Sequence, residues 1–367
     1  VGVLVIGGTG PTGPDIVAEL LRRGHEVTVL HRGLHEPDDD ALRQVEHLHA
    51  DPHFAQTLAD GLQGRSFDTV IATYGRMRLN VEEMAGRCER FIGIGGNPVH
   101  AGHLDAGGAT PSGLRILADE QSPRTPLLPA AGNDRERFAA RVRAAEECVF
   151  EAAADGAFDA TYLRYPMIYG QRSMLRFERG LLARIRAGRH RIVLPDGGLS
   201  IYSRMADRNA GHVVGLVLDN PDVTRGRVYQ CADDEQFSVR QWAELCAAAL
   251  GAEVEFVAMP LELARPSWDL LPTGPLGSRH TLVDTTRARR ELGYRDVVRP
   301  TEILTAVMQQ LAADPADTEF DADGEDRVLA AYDQLRLSLT GDVPSLTGAR
   351  WHPYAHPTTA HPATTES

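Results

Sequence analysis

The chain has 367 residues, a formal net charge of −13, and 38 basic residues that are all arginine, since lysine does not occur. This excludes every mechanism built on a lysine amine: a Schiff base, a pyridoxal anchor or a P-loop lysine. The acidic balance argues against nucleic acid as the main partner.

A hydrophobic content of 43% is ordinary for a soluble globular chain, and no apolar run is long enough to span a membrane. The sequence opens directly in a strand-like run, so no signal peptide is expected. The four cysteines (Cys88, Cys148, Cys231, Cys246) are scattered without a CxxC pair. A cytoplasmic protein with reduced thiols is the expectation.

In chain order, Val3–Ile6 reads as a buried strand, Ile16–Arg23 as a helix stopped by Gly24, and Glu26–Leu30 as a second strand. Phe67–Ala72, Arg90–Ile94 and Ala160–Arg164 read as further strands, with a long helix over Asn133–Ala154. Apolar strands alternating with helices predict an α/β fold: a Rossmann-type, doubly wound parallel sheet over residues 1–175. Residues 176–313 read as a smaller substrate-capping region, with some segments returning to the core. It has helices at Leu181–Ala187, Arg208–Leu218, Val239–Leu250 and Thr301–Leu311, and a strand at Arg191–Leu194. Residues 314–340 combine an acidic stretch with a helix from Arg327, and 341–367 read as a disordered tail rich in Thr, Pro and His.

The strongest motif is Gly7-Gly8-Thr9-Gly10-Pro11-Thr12-Gly13, between the first strand and the first helix. Glycines there permit a tight turn and close backbone approach to a pyrophosphate, which then meets the positive end of the helix. With Ala50-Asp51, Leu163-Arg164-Tyr165-Pro166-Met167-Ile168-Tyr169-Gly170, Asp284-Thr285-Thr286-Arg287 and Leu292-Gly293-Tyr294, it resembles the extended short-chain dehydrogenase/reductase family, also called the NAD-dependent epimerase/dehydratase family, over roughly residues 1–313. The resemblance implies cofactor contacts from Gly7, Thr9, Gly10, Pro11, Thr12, Gly13, Asp51, Thr73, Pro166 and Met167. The second strand ends in His31-Arg32, where NAD enzymes usually carry an acid. His31 and Arg32 are expected to contact the cofactor, and since a guanidinium suits a 2′-phosphate, NADP(H) is expected over NAD(H).

The resemblance also implies a Tyr-x-x-x-Lys pair on the long helix. Aligned on Glu146, those positions hold Phe138 and Val142, and a one-residue slip gives Ala139 and Arg143. No tyrosine lies between Tyr74 and Tyr162. The remaining acid/base candidates are His100, because histidine titrates near neutrality, with Tyr74 and Tyr169; Arg141 and Arg143 offer charge but no proton shuttling. His100 and His103 form an HxxH that matches metal spacing poorly, so no metal is expected. The leading reading is NADPH-dependent reduction of a small molecule with non-standard acid/base residues, leaving redox-neutral epimerisation or dehydration open. The rival is a catalytically inactive NADP(H) sensor. A homodimer fits either.

Overall fold

The computed structural model describes residues 2–34, 38–73, 76–127, 132–174, 176–272, 279–315 and 318–339. In chain order the elements are β1 (Gly2–Ile6), α1 (Gly13–Arg22), β2 (Glu26–His31), β3 (Glu46–His49), α2 (Ala55–Leu62), β4 (Phe67–Thr73), α3 (Met77–Met84), β5 (Cys88–Gly96), α4 (Asp134–Ala154), β6 (Asp159–Tyr165), β7 (Met167–Tyr169), α5 (Arg176–Arg186), β8 (Arg191–Pro195), β9 (Arg204–Ala206), α6 (Asp207–Asp219), α7 (Pro221–Thr224), β10 (Arg227–Gln230), α8 (Val239–Ala249), β11 (Glu255–Met259), α9 (Thr286–Leu292), α10 (Pro300–Ala313) and α11 (Ala322–Leu339). Residues through Glu325 form one compact unit, and a second begins at Asp326. Within that second unit the described residues are the remainder of α11.

Seven strands make one parallel sheet in the order β10-β6-β5-β4-β1-β2-β3. The apolar runs explain why both faces are covered. On β1, Val3 and Val5 join a core shared with α1 and α6, while Leu4 and Ile6 join the opposite core shared with α2, α3 and α4. All four side chains are fully buried, each contributing roughly 1.5–3 kcal/mol. The strand order reverses between β1 and β4, and ligands of such sheets bind at the carboxyl ends beside that reversal. The chain then leaves the sheet, returns once as β10, and builds a separate core around Tyr169, Phe177, Leu181, Trp242 and Met308.

The long helix α4 starts at a reciprocal cap. The Asn133 side chain accepts from the Arg135 and Glu136 N–H groups, and the Glu136 carboxylate accepts from the Asn133 N–H. Two residues past its middle, Glu146 accepts from Arg164 Nε and Nη2 on β6, both at 2.7 Å, with both side chains almost fully buried. Removing one partner of such a pair leaves an uncompensated buried charge. Glu146→Ala is therefore expected to cost about 3–5 kcal/mol, and the double replacement Glu146→Leu with Arg164→Met to cost clearly less. Urea unfolding of the two variants checks this.

Candidate functional site

The Gly7–Gly13 turn is packed so closely that only glycine fits at its key points. Gly7 has φ +84°, and a Cβ there would fall 2.6 Å from the Thr73 carbonyl oxygen. A Cβ on Gly13 would lie 2.1 Å from the Gly8 carbonyl oxygen, and one on Gly8 would lie 2.8 Å from Val29. Gly10 N–H donates to Gly7 O, and Gly13 N–H to Gly10 O, both at 3.0 Å. Thr73, at the end of β4, ties this turn to the sheet: its hydroxyl donates to Ile6 O at 3.0 Å, with Gly7 O at 3.1 Å. Thr12 sits at the N-terminal cap of α1, yet its buried hydroxyl has no hydrogen-bond partner among the described residues. Thr9 and Pro11 are half-buried beside it. A tight turn, an orphaned hydroxyl and the positive end of α1 together fit a dinucleotide pyrophosphate.

His31, the last residue of β2, is buried, and Arg32 just beyond it is exposed. Asp51, past β3, is held as a carboxylate by His53. The backbone N–H of His53 at 3.0 Å, its ring at 2.8 Å and the charge of Arg32 hold Asp51 below the usual carboxylate range. Pro166 is half-buried and Met167 exposed, immediately past β6. The cofactor residues expected from the sequence thus line the carboxyl edge of β1, β2, β4 and β6 and the loop past β3.

The acid/base candidates fare differently. His100 is buried after β5, with Nε2 against the Gln230 side-chain amide. Burial, followed by the charges of Arg164 and His103, pushes its pKa down to about 3. It is therefore a neutral imidazole through the physiological range, and the near-neutral titration expected from the sequence is absent. Burial is the reason, and no sequence pattern reports it. Tyr169 is also buried, and its hydroxyl donates to Asp233 at 2.8 Å. Burial and the Asp233 charge raise its pKa, so it is occupied in the second core rather than poised as an acid. Tyr74 lies outside the described residues. Arg143 donates to Thr125 O at 2.7 Å and to Glu147 at 2.8 Å, while Phe138 is exposed. His100 does face a cavity of about 150 Å³, walled by Leu104, Thr125, Pro126, Arg135 and Ala139 at the foot of α4.

Three features escaped the sequence reading. Asn80 is fully buried in α3, with neither amide atom hydrogen-bonded among the described residues. Its position in the buried row Met77, Asn80, Val81, Met84 was the available signal. His47 and His49 meet His31 across strands that are far apart in sequence. Asp15, two residues past the glycine turn, meets Arg172 at 3.4 Å and lies near Asp39 and Asp207. Burial, then the charge of Asp207, raises the Asp15 pKa to about 7 against the pull of Arg172.

A carboxyl group whose folded pKa exceeds its unfolded value contributes stability that is complete below the unfolded pKa and is lost as pH rises through the folded one. Asp15→Asn is therefore expected to gain stability relative to the parent between about pH 4 and pH 7, with a constant difference above pH 7. Urea midpoints at pH 4, 5.5 and 8 check the direction.

No family model matches the chain. A 3-diazoavenalumate denitrifying reductase from a Streptomyces species is 28% identical over 261 residues, covering 68% of this chain and 82% of that protein. Among solved structures, a dTDP-glucose 4,6-dehydratase from Bacillus anthracis in complex with NAD aligns with TM-score 0.63 at 12% identity, over 86% of this chain and 97% of that one. A UDP-glucose 4-epimerase from Thermotoga maritima with UDP-glucose aligns with TM-score 0.65 at 15% identity, over 85% and 99%. A UDP-glucuronic acid 4-epimerase from Bacillus cereus, in complex with UDP-glucuronic acid and NAD, gives the same four values. At these identities the solved structures establish the fold: this chain has the Rossmann-type architecture of the NAD-dependent epimerases and dehydratases.

Proposed function

We propose that this chain is an enzyme, an NADPH-dependent reductase whose substrate accepts hydride without a proton from the protein. One observation carries the reading. The Gly7–Gly13 turn is closed as a pyrophosphate would need, while α4 carries neither a tyrosine nor a lysine, in a chain without lysine. The Gly7–Gly13 turn and the Thr12 hydroxyl would hold the pyrophosphate, Arg32 the 2′-phosphate, and Pro166 and Met167 would flank the nicotinamide. Bound there, the dinucleotide supplies hydride. The protein's part is orientation and exclusion of water, not proton transfer. Arg143, fixed on Thr125 and Glu147, cannot shuttle protons.

The kind of substrate follows from what is missing. Reducing a carbonyl leaves an alkoxide that needs an acid. Replacing an aryl diazonium group by hydrogen does not: hydride bonds to the ring carbon, and N2 departs with the C–N electron pair. The curated relative, named for a diazo acid and for denitrification, supports that class. Arg135, which lines the cavity with Ala139, would pair with a substrate carboxylate.

The direct test supplies NADPH and an aryl diazonium carboxylate. NADPH oxidation with equimolar N2 release is expected; failure to oxidise NADPH with this class contradicts the substrate reading. The preference for NADPH rests on Arg32. Arg32→Ala is expected to weaken NADPH by roughly 10–100-fold while NADH changes little. Equal losses, measured by fluorescence titration, contradict it.

A further inference from the structure

We propose that His31, His47 and His49 form a binding site for a divalent transition ion of the zinc type. The site comes from strand register. His31 closes β2 and pairs directly with His49, which closes β3. His47, two residues earlier on β3, points to the same face. One ring nitrogen from each side chain falls within 4.8 Å of the others. The His31 ring stands nearly perpendicular to the other two, with centroids at 5.0 and 4.9 Å, so ring edges converge where faces do not stack.

The hydrogen bonds assign the tautomers. His47 Nε2–H donates to the Leu42 carbonyl at 2.7 Å, which leaves the Nδ1 lone pair aimed at His31. An outer N–H held by a backbone carbonyl is the support that metal-ligating histidines usually have. His31 Nε2–H donates to His47 Nδ1 at 2.8 Å, and Gly33 N–H donates to His31 Nδ1 at 3.1 Å. One proton therefore lies between two ligand nitrogens, where an ion would lie. For the ion to enter, that proton moves from Nε2 to Nδ1 of the same ring, and the Gly33 N–H turns away. Gly33 has φ +71° in an exposed turn, so this backbone can yield.

Three neutral imidazoles select zinc, nickel or copper over magnesium or calcium, which take oxygen ligands. His31 is buried and His49 exposed, so the site opens to solvent on one side and leaves room for water as a fourth ligand. The ion would fasten the short edge strand β3 to β2, one residue from the Arg32 that the reductase reading assigns to the 2′-phosphate.

The test titrates Zn2+ into the full chain without dinucleotide, against a chromophoric chelator. One ion per chain is expected, with a rise in the thermal midpoint. The exposed variant His49→Gln and the half-buried His47→Gln are each expected to weaken binding at least tenfold and to abolish the midpoint shift. Zn2+ held equally well by both variants places the ion elsewhere, for example on His352, His356 and His361 of the tail, and overturns the proposal. So does absence of binding to the parent chain. Should a variant fail to fold, Co2+ on the parent chain decides. Intense visible bands of a four- or five-coordinate nitrogen site are expected; the weak spectrum of a six-coordinate aqua ion overturns the proposal.

Discussion

The closure of the glycine turn on itself is the constraint from which the rest of the site follows. Gly13 lies so close to the Gly8 carbonyl that a methyl group has no place between them. α1 therefore begins immediately under the end of β1, and its positive end faces the point where the strand order reverses. Thr73 reinforces the arrangement by bonding the end of β4 to the turn from the other side of that reversal. The closed turn and the positive end of α1 together fit a pyrophosphate, whatever chemistry takes place further along the sheet.

Glu146 and Arg164 hold α4 against β6 through a buried, doubly hydrogen-bonded pair, and the helix so held carries no tyrosine and no lysine. Arginine can replace lysine as a charge but not as a tunable amine. His100 is made neutral by burial, and Tyr169 is committed to Asp233. In the proposed reaction the substrate loses N2 as it accepts hydride, so no intermediate would wait for a proton.

Long apolar runs made β1, β2, β4, β5 and β6 legible from the sequence, and the glycine spacing marked the turn. Short elements were not legible. β10 and β11 owe their existence to neighbours far away in the chain, and α2 and α3 are only eight residues each. At the site, residue type was readable and environment was not. Nothing in the sequence says that His100 is desolvated or that Asp15 sits beside Asp207. The meeting of His31 with His47 and His49 depends on a register that a sequence does not display.

The origin of the hydrogen in the product tests the central claim most directly. With unlabelled NADPH in D2O, the account predicts that the carbon losing nitrogen carries protium, and that NADPH deuterated at the transferring position delivers deuterium there in H2O. Deuterium entering that carbon from D2O would contradict it, because the protein or solvent would then be supplying the hydrogen that the proposed reaction takes from NADPH.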